Sequence, residues 1–246
     1  MPIKVYIPTP YRELTAGRGH VDAHGETIAG LIEDLERCYP GLRARICDGA
    51  AVRHHVNVFV NGQEMRSLRG ESTPLSEGDE VAFIPALAGG SPQNIVRKDV
   101  IEITRGHHDD IVAHARNDFP NECCGLLFGE GSRADRLLRM ENVEHSPLNY
   151  RVDSQKLLEA FQMMEEVGLD LVGIYHSHTH SPAAPSRTDI ALAGYPDVHY
   201  LIVSLADPDQ PVLRAFLIDK GLVEEQAIQI TPALASADTR PGGREL

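Results

Sequence analysis

The sequence of 246 residues predicts an α+β protein of two domains, a compact roll followed by an α/β sandwich. Over residues 1–90 the apolar patterns follow the order strand, strand, helix, strand, strand. Residues 91–100 begin with polar side chains and Pro92 and show no periodicity, which indicates a linker. From Ile101 to about residue 235, helix and strand patterns mix without a strict βαβ alternation, which favours a sandwich over a doubly wound sheet.

The elements of the roll follow from the spacing of apolar residues and from turn signals. A helix is predicted to begin after Thr27, because Thr27 can cap its first turn, and to end at Pro40-Gly41. Its apolar stripe has the helical spacing i, i+3, i+4 and i+7: Ile28, Leu31, Ile32 and Leu35. Strands are predicted over residues 3–7, 20–23, 56–60 and 80–85.

The second part has three predicted helices, over residues 107–118, 153–167 and 186–194. The middle one is expected to bury Leu157, Phe161, Met164 and Val167. Strands are predicted at residues 101–103, 125–129, 171–178, 200–205, 213–218 and 225–230. Residues 236–246 are rich in Pro, Gly and charge, and we expect a disordered tail there.

The composition and the apolar pattern argue against nucleic acid as a partner and against a membrane or secreted location. A formal net charge of −13 repels phosphate backbones, so nucleic acid is not expected as a partner. Every apolar stretch is shorter than the ~18 residues of a membrane helix, and the start of the chain has a strand pattern instead of a signal peptide. The four cysteines include the adjacent pair Cys123-Cys124 and no Cys-x-x-Cys pair, which favours a reducing cytoplasm.

The segment from residue 176 to residue 189 contains the side chains of a metal site. His176 and His178 project from one face of a predicted strand, and the following loop can bring Asp189 to them. Three such ligands leave the fourth position of a tetrahedral zinc ion open for water. Two other interpretations stay open at this point: a polar exposed strand face, and a capping box formed by Ser186 and Asp189. A cap is compatible with a ligand, because one carboxylate oxygen stays free.

The joint spacing His-x-His, seven residues, Ser-x-x-Asp resembles the motif of the JAMM/MPN+ metalloproteases. The family also carries an upstream Glu within a Pro-x-Glu-x-Cys-Gly-Leu-Leu-like stretch, which here places Glu122. The resemblance covers residues 101–235 and implies a zinc metallopeptidase with one Zn²⁺ per chain. It implies that His176, His178 and Asp189 are the ligands, that Glu122 takes the proton of the attacking water and passes it to the leaving amine, and that Ser186 stabilises the oxyanion.

Some neighbours of this motif depart from the family pattern or have no assigned role. Thr179 stands where many members have Pro, and His180 is a spare imidazole that we expect to face solvent. Cys124 is expected to be a small buried strand residue and not a nucleophile. The stretch from Asn142 to Tyr150 is similar to one subtype of the family, without a predicted catalytic role.

Residues 1–90 resemble the MoaD/ThiS family of ubiquitin-like sulfur carriers, which have the β-grasp fold. The resemblance rests on the roll order, on the stretches at residues 58–62 and 78–81, and on the closing residues 84–90, which end in Gly89-Gly90. In that family the terminal carboxylate becomes a thiocarboxylate. Here Ser91 follows Gly90, so the bond between them must be cut first.

Together, the two resemblances imply a hydrolase that cleaves the amide after the Gly-Gly of a sulfur carrier, either its own or another copy. The reaction would mature the carrier or release cysteine from a carrier–cysteine adduct. The implied partners include an E1-like adenylating sulfurtransferase and a cysteine synthase. The sulfur could also go to thiamine, molybdopterin or a secondary metabolite.

Two alternatives to a turning-over enzyme stay open. One is a carrier precursor whose hydrolase acts once, and the other is a catalytically silent MPN scaffold, against which the intact five-residue set argues. The eleven steps from Gly90 to Ile101 reach roughly 35–40 Å, part of which would be used inside the cleft. We therefore expect cleavage mainly between chains.

Overall fold

The computed structural model describes residues 2–53, 56–85, 100–219 and 221–232. The elements of the first half are β1 Ile3–Tyr6, β2 His20–Ala23, α1 Ile28–Cys38, α2 Leu42–Ile46, β3 Cys47–Asp48, β4 Ala51–Val52, β5 Val56–Val60, β6 Gln63–Glu64 and β7 Glu80–Pro85. Five of the strands form the first sheet in the order β2-β1-β7-β5-β6, with β1 parallel to β7 and antiparallel to β2, and β3 and β4 form a separate two-stranded sheet. Short 3₁₀ turns lie at Thr9–Thr15, Met65–Ser67 and Gly70–Ser72.

Helix α1 forms where the sequence predicts it and covers one face of this sheet. The Thr27 side chain accepts a hydrogen bond from the Gly30 amide at 3.2 Å and so caps the first turn. The predicted apolar stripe is buried in one core with alternate residues of the central strands, among them Val5, Val58 and Phe83. Burying each of these large side chains contributes about 1.5–3 kcal/mol to the free energy of unfolding.

The other face of the same sheet is also apolar and buried. Because side chains alternate along a strand, Tyr6, Phe59, Ala82 and Ile84 point away from α1. These four side chains belong to one buried cluster with residues of the second half of the chain. The two halves therefore pack against each other through an apolar sheet face.

The second half contains a seven-stranded sheet that closes into a barrel. Its strands and the helices around them are β8 Val100–Thr104, α3 Arg105–Asp118, β9 Cys124–Glu130, β10 Arg133–Met140, α4 Ser154–Glu166, β11 Asp170–His178, α5 Arg187–Leu192, β12 His199–Ser204, β13 Val212–Asp219 and β14 Leu222–Thr231. The strand order is β10-β8-β14-β13-β12-β11-β9. The pairs β11–β12 and β8–β14 are parallel, and β9 joins β10 to β11 through two antiparallel pairings.

Helices α3 and α4 pack against different sides of this barrel. Ile111 and Ala115 of α3 are buried with strand residues such as Val203. Leu157 and Phe161 of α4 belong to the separate cluster that also receives the first sheet. Strand β11 runs between these layers, so its alternating side chains reach both.

The predicted fold class, a two-domain α+β protein, is confirmed. The sequence did not predict α2 or β10, and the prediction that Val167 is buried is wrong, because Val167 caps the end of α4 and is 63% exposed. Residues 91–99 of the predicted linker at residues 91–100 and the predicted tail lie outside the described residues, whereas Val100 already belongs to β8. Among the described residues, no helix is both long enough and apolar enough to span a membrane.

Candidate metal centre

Strand β11 places His176 and His178 side by side in the interior of the protein. It pairs with β9 on one side and β12 on the other, so both of its edges are occupied near the histidines. The two side chains lie on one face because one residue separates them. They are 1% and 4% exposed, which excludes the interpretation as a polar surface.

Helix α5 brings the third side chain, Asp189. The Ser186 hydroxyl accepts a hydrogen bond from the Asp189 amide at 3.1 Å, and Asp189 Oδ2 accepts one from the Ser186 amide at 2.6 Å. This is the capping box that the sequence predicts. It fixes the Asp189 carboxylate at the helix start, facing the two histidines.

The three side chains bring their nitrogen and oxygen atoms close together. His176 Nε2 lies 3.2 Å from His178 Nε2 and 3.5 Å from Asp189 Oδ1, and His178 Nε2 lies 3.4 Å from Asp189 Oδ2, so each histidine faces a different oxygen of the carboxylate. Ligands at 2.0–2.1 Å from a tetrahedral zinc ion lie about 3.3 Å from each other. One atom from each of the three side chains lies within 4.8 Å of the others, so the group could hold one divalent ion.

Hydrogen bonding leaves the Nε2 atom of His178 free for a metal. His178 Nδ1 lies 2.8 Å from the Pro182 carbonyl, which can only accept, so the proton is on Nδ1. The Nε2 lone pair of His178 then faces the Nε2 atom of His176 at 3.2 Å. A cation between the two nitrogens would stabilise this approach.

Tyr150 fixes the plane of the other imidazole. Its ring stacks on His176 with centroids 4.7 Å apart and an interplanar angle of 22°. His176 Nδ1 is buried without a hydrogen-bond partner among the described residues, so Nε2 is the nitrogen directed at the other ligands. The stacking contact with Tyr150 thus orients the His176 ring, as the hydrogen bond to the Pro182 carbonyl orients the His178 ring.

The surroundings of the site shift the pKa values of its two carboxyl groups in opposite directions. Burial alone would raise the pKa of Asp189, but the facing imidazoles of His176 and His178 hold it well below its usual range. Burial raises the pKa of Glu122 to about 8, and His178 and Asp189 are close enough to shift it further in opposite directions. Asp189 is therefore held in its ionised form, while Glu122 is suited to exchange a proton near neutral pH.

Glu122 is held by its backbone in the turn between α3 and β9. Its amide donates to the Ser146 carbonyl at 2.9 Å, and its carbonyl accepts from Asn142 Nδ2 at 2.9 Å. Residue 122 is 6% exposed, so the turn is a buried part of the site.

Asn142 joins this turn to the loop that carries Tyr150. Its amide group also donates to the Asn149 carbonyl at 3.0 Å, while Oδ1 accepts from the amides of Glu144 and Arg151 at 3.0 and 3.1 Å. All four hydrogen bonds of this buried side chain go to backbone groups. Asn142 and Tyr150 have no catalytic role in the prediction from sequence, because contacts of a loop side chain with backbone atoms follow no periodic pattern.

The remaining predicted residues have varied surroundings. His180 is exposed, as predicted, and its Nδ1 contacts the Thr179 hydroxyl, which also donates to the Pro147 carbonyl at 3.1 Å. Cys124 is fully buried in β9, as predicted. Gly89, Gly90 and Ser91 lie outside the described residues.

Comparison with known proteins identifies both halves. Residues 104–219 match the family model of prokaryotic homologues of the JAB domain, and residues 5–90 match the ThiS family. The CysO-cysteine peptidase of Mycobacterium tuberculosis is 44% identical over 138 residues, which cover 55% of this chain and 90% of that protein. The chain belongs to the JAB (JAMM/MPN) hydrolases. It carries a ThiS-family domain in front of the JAB domain.

Two further relatives support this assignment. The sulfur carrier protein CysO of Mycobacterium tuberculosis is 38% identical over 93 residues, which cover 37% of this chain and all of that protein. The solution structure of protein DSY2949 from Desulfitobacterium hafniense is 38% identical, with a TM-score of 0.51, and covers 55% of this chain and 95% of that one. As a JAB-family member the protein is a hydrolase of peptide or isopeptide bonds, in a family of zinc-dependent metalloproteases.

Proposed function

We propose that the protein is a zinc peptidase that cleaves the amide bond after the Gly-Gly of a sulfur carrier. In this proposal residues 1–90 are the carrier, residues 91–100 the linker, residues 101–235 the hydrolase and residues 236–246 a tail. The observation that carries the proposal is the joint presence, in one chain, of a His-His-Asp group that could hold a metal ion and a ThiS-family domain. The bond between Gly90 and Ser91 is the substrate that this combination suggests.

One Zn²⁺ per chain would be held by His176, His178 and Asp189. A zinc ion supplies Lewis acidity, which lowers the pKa of water toward about 7. Glu122 takes a proton from the attacking water and passes it to the nitrogen of Ser91. The Ser186 hydroxyl, whose oxygen accepts the capping bond, keeps its own hydrogen for the developing oxyanion.

The reaction adds one water across the amide. The C–N bond between Gly90 and Ser91 breaks, Gly90 receives the oxygen as a carboxylate, and Ser91 leaves as an amine. If cysteine replaces Ser91 in a carrier adduct, the same steps release cysteine. The freed carboxylate would be the group that an E1-like adenylating sulfurtransferase activates, with a cysteine synthase as a further partner. These partners rest on the resemblance to MoaD/ThiS carriers and on relatives named for CysO.

Intact-protein mass spectrometry tests the proposal directly. The chain is purified with a chelator, Zn²⁺ is added, and the masses of fragments 1–90 and 91–246 are followed over time. A chain with Glu122→Gln is the control, because it keeps the three proposed ligands and loses the base. Cleavage at another bond, or equal cleavage of both chains, would contradict the proposal.

A further inference from the structure

The two halves of the chain meet through a surface that is built for a carrier. On the first half we define the carrier face as Tyr6, Phe59, Ala82 and Ile84, and on the second half the dock as Leu158, Phe161, Tyr195 and Val198. All eight residues are at most 7% exposed and belong to one cluster. An apolar sheet face of this kind needs a partner, because a mixed or antiparallel sheet in a small domain can leave only a polar face in water.

A cluster of opposite charges also joins the two halves. Arg12 of the first half lies 2.9 Å from Glu165 and 3.2 Å from Asp170 of the second half, and the Thr9 hydroxyl donates to Asp170 at 3.3 Å. The backbone at Gly19 approaches Glu165 so closely that an added Cβ would lie 2.4 Å from the carboxylate. The contact is therefore complementary in shape and in charge, which is typical of specific recognition.

The end of the last carrier strand contacts the segment that follows helix α5. The Tyr195 hydroxyl, which is fully buried, donates to the Pro85 carbonyl at 2.8 Å. The Tyr195 amide in turn donates to the Tyr200 hydroxyl at 2.9 Å, and Tyr200 lines a groove together with Asp189. A path of direct contacts thus leads from Pro85 to the groove beside the site.

Chain lengths agree with this path. Gly90 lies five residues after Pro85, and at ~3.3–3.6 Å per residue these can span about 16–18 Å. Tyr195 lies six residues after Asp189, so their Cα atoms are at most about 20 Å apart, and less because Asp189–Leu192 is helical. The Tyr195 side chain lies between Pro85 and this segment. The reach of the tail is of the same order as the length of the segment, which is compatible with Gly90 approaching Asp189 while the carrier stays in the dock.

We propose that the docked arrangement is the one in which cleavage occurs, so that the dock selects the carrier and the bond after Gly90 is cut within one chain. This inference rests on the proposed function and replaces the expectation of cleavage between chains. Covalent attachment gives the carrier an effective concentration on the order of millimolar, so separate carriers compete poorly for the dock. The dock is a recognition surface outside the catalytic centre.

The first experiment measures cleavage of the full chain after Zn²⁺ is added to metal-free protein. The half-life is expected to stay constant over a hundredfold dilution. Arg12→Glu and Glu165→Arg should each lengthen it at least tenfold, because like charges then face each other across the dock. Combining the two changes should restore most of the rate, since the pair is rebuilt with opposite polarity.

Two controls accompany these variants. Arg37→Glu makes the same charge change on α1, where the side chain is 76% exposed, and should be cut at the normal rate. A Glu122→Gln chain mixed with active protein should be cut much more slowly than the active chain cuts itself. A half-life that grows in proportion to dilution, or single variants cut at the normal rate, would overturn the inference.

A second experiment judges the docking without relying on the hydrolase activity. A recognition sequence for a specific protease replaces residues 93–98, and the protease then separates the two halves of an otherwise intact chain. The halves should elute together in gel filtration, and Glu165→Arg should separate them. If no variant is cleaved after Gly90 but the halves stay together, the proposed function fails and the dock remains. If the halves of the wild-type chain separate, the inference that the dock binds the carrier is refuted.

Discussion

Replacing Asn142 with Asp tests whether the hydrogen bonds of the Asn142 side chain position Glu122 for catalysis. The substitution keeps the shape of the side chain and its acceptor oxygen, which bonds the amides of Glu144 and Arg151. It removes both hydrogen bonds that the amide donates, to the carbonyls of Glu122 and Asn149. A carboxylate then faces two carbonyl oxygens in a buried place.

The magnitude follows from these two contacts. Each lost hydrogen bond contributes about 0.5–1.5 kcal/mol, and a buried polar group left without a partner costs about 1–3 kcal/mol. We expect the free energy of unfolding to fall by about 2–4 kcal/mol. We also expect the cleavage rate to fall at least ~10-fold with zinc retained, because a displaced Glu122 loses part of the ~10²–10⁴-fold contribution of a general base.

The assay combines urea unfolding, metal analysis and the Zn²⁺-started cleavage of the full chain after Gly90. Asn117→Asp is the matched control, because Asn117 is exposed near the end of α3 and the change in charge is the same. The control variant should keep the free energy of unfolding and the cleavage rate of the wild type. If Asn142→Asp loses stability but cleaves at the normal rate under folding conditions, Asn142 is a structural residue only and the positioning argument is refuted.

Three further predictions concern the metal centre. His178→Ala should remove nearly all bound zinc, measured by elemental analysis, and full occupancy would refute the ligand assignment. Glu122→Gln should keep zinc and lower hydrolysis by at least ~10²-fold, and near-normal turnover would show that another group takes the proton. The third prediction concerns metal-free protein. Because the pKa of Glu122 is raised, the folded state holds this proton more tightly than the unfolded state does. The free energy of unfolding should therefore fall as the pH rises from about 4.5 to about 8. Glu122→Gln should remove several kcal/mol of that fall, at about 1.4 kcal/mol per pKa unit, and equal pH profiles of the two chains would contradict the shift.

The sequence was sufficient for elements whose apolar residues follow one period. Helix α1 and strands β5 and β11 agree with their predictions to within about two residues at each end, because α1 buries one periodic apolar stripe and both strands are runs of mostly apolar residues inside a core. Strand β10 was not predicted, since its run Arg133–Met140 alternates between charged and partly buried residues and resembles a surface segment. Helix α2 has five residues, too few to show a period.

For the candidate site, the sequence predicted the residues whose spacing is fixed by a strand and a cap. His176, His178 and Asp189 come together because strand alternation and a capping box leave them little freedom. Asn142 and Tyr150 support the site from a loop, where sequence distance does not determine spatial distance. The apolar carrier face was also missed, because β5 and β7 are buried on both faces and their patterns do not distinguish a neighbouring helix from a neighbouring domain.

The Asp189 carboxylate caps helix α5 and would also bind the metal ion, so metal binding is linked to the folding of this helix. Helix α5 has six residues, far fewer than the ~12–15 that an isolated helix needs, so its persistence depends on the contacts at its first turn. The carboxylate that closes this turn is the same one that would bind the ion, and any ion that binds only the folded turn stabilises it by mass action. The Ile190 amide, which donates to the Ser186 carbonyl, lies inside this turn, so its rate of hydrogen exchange would report the occupancy of a spectroscopically silent zinc ion.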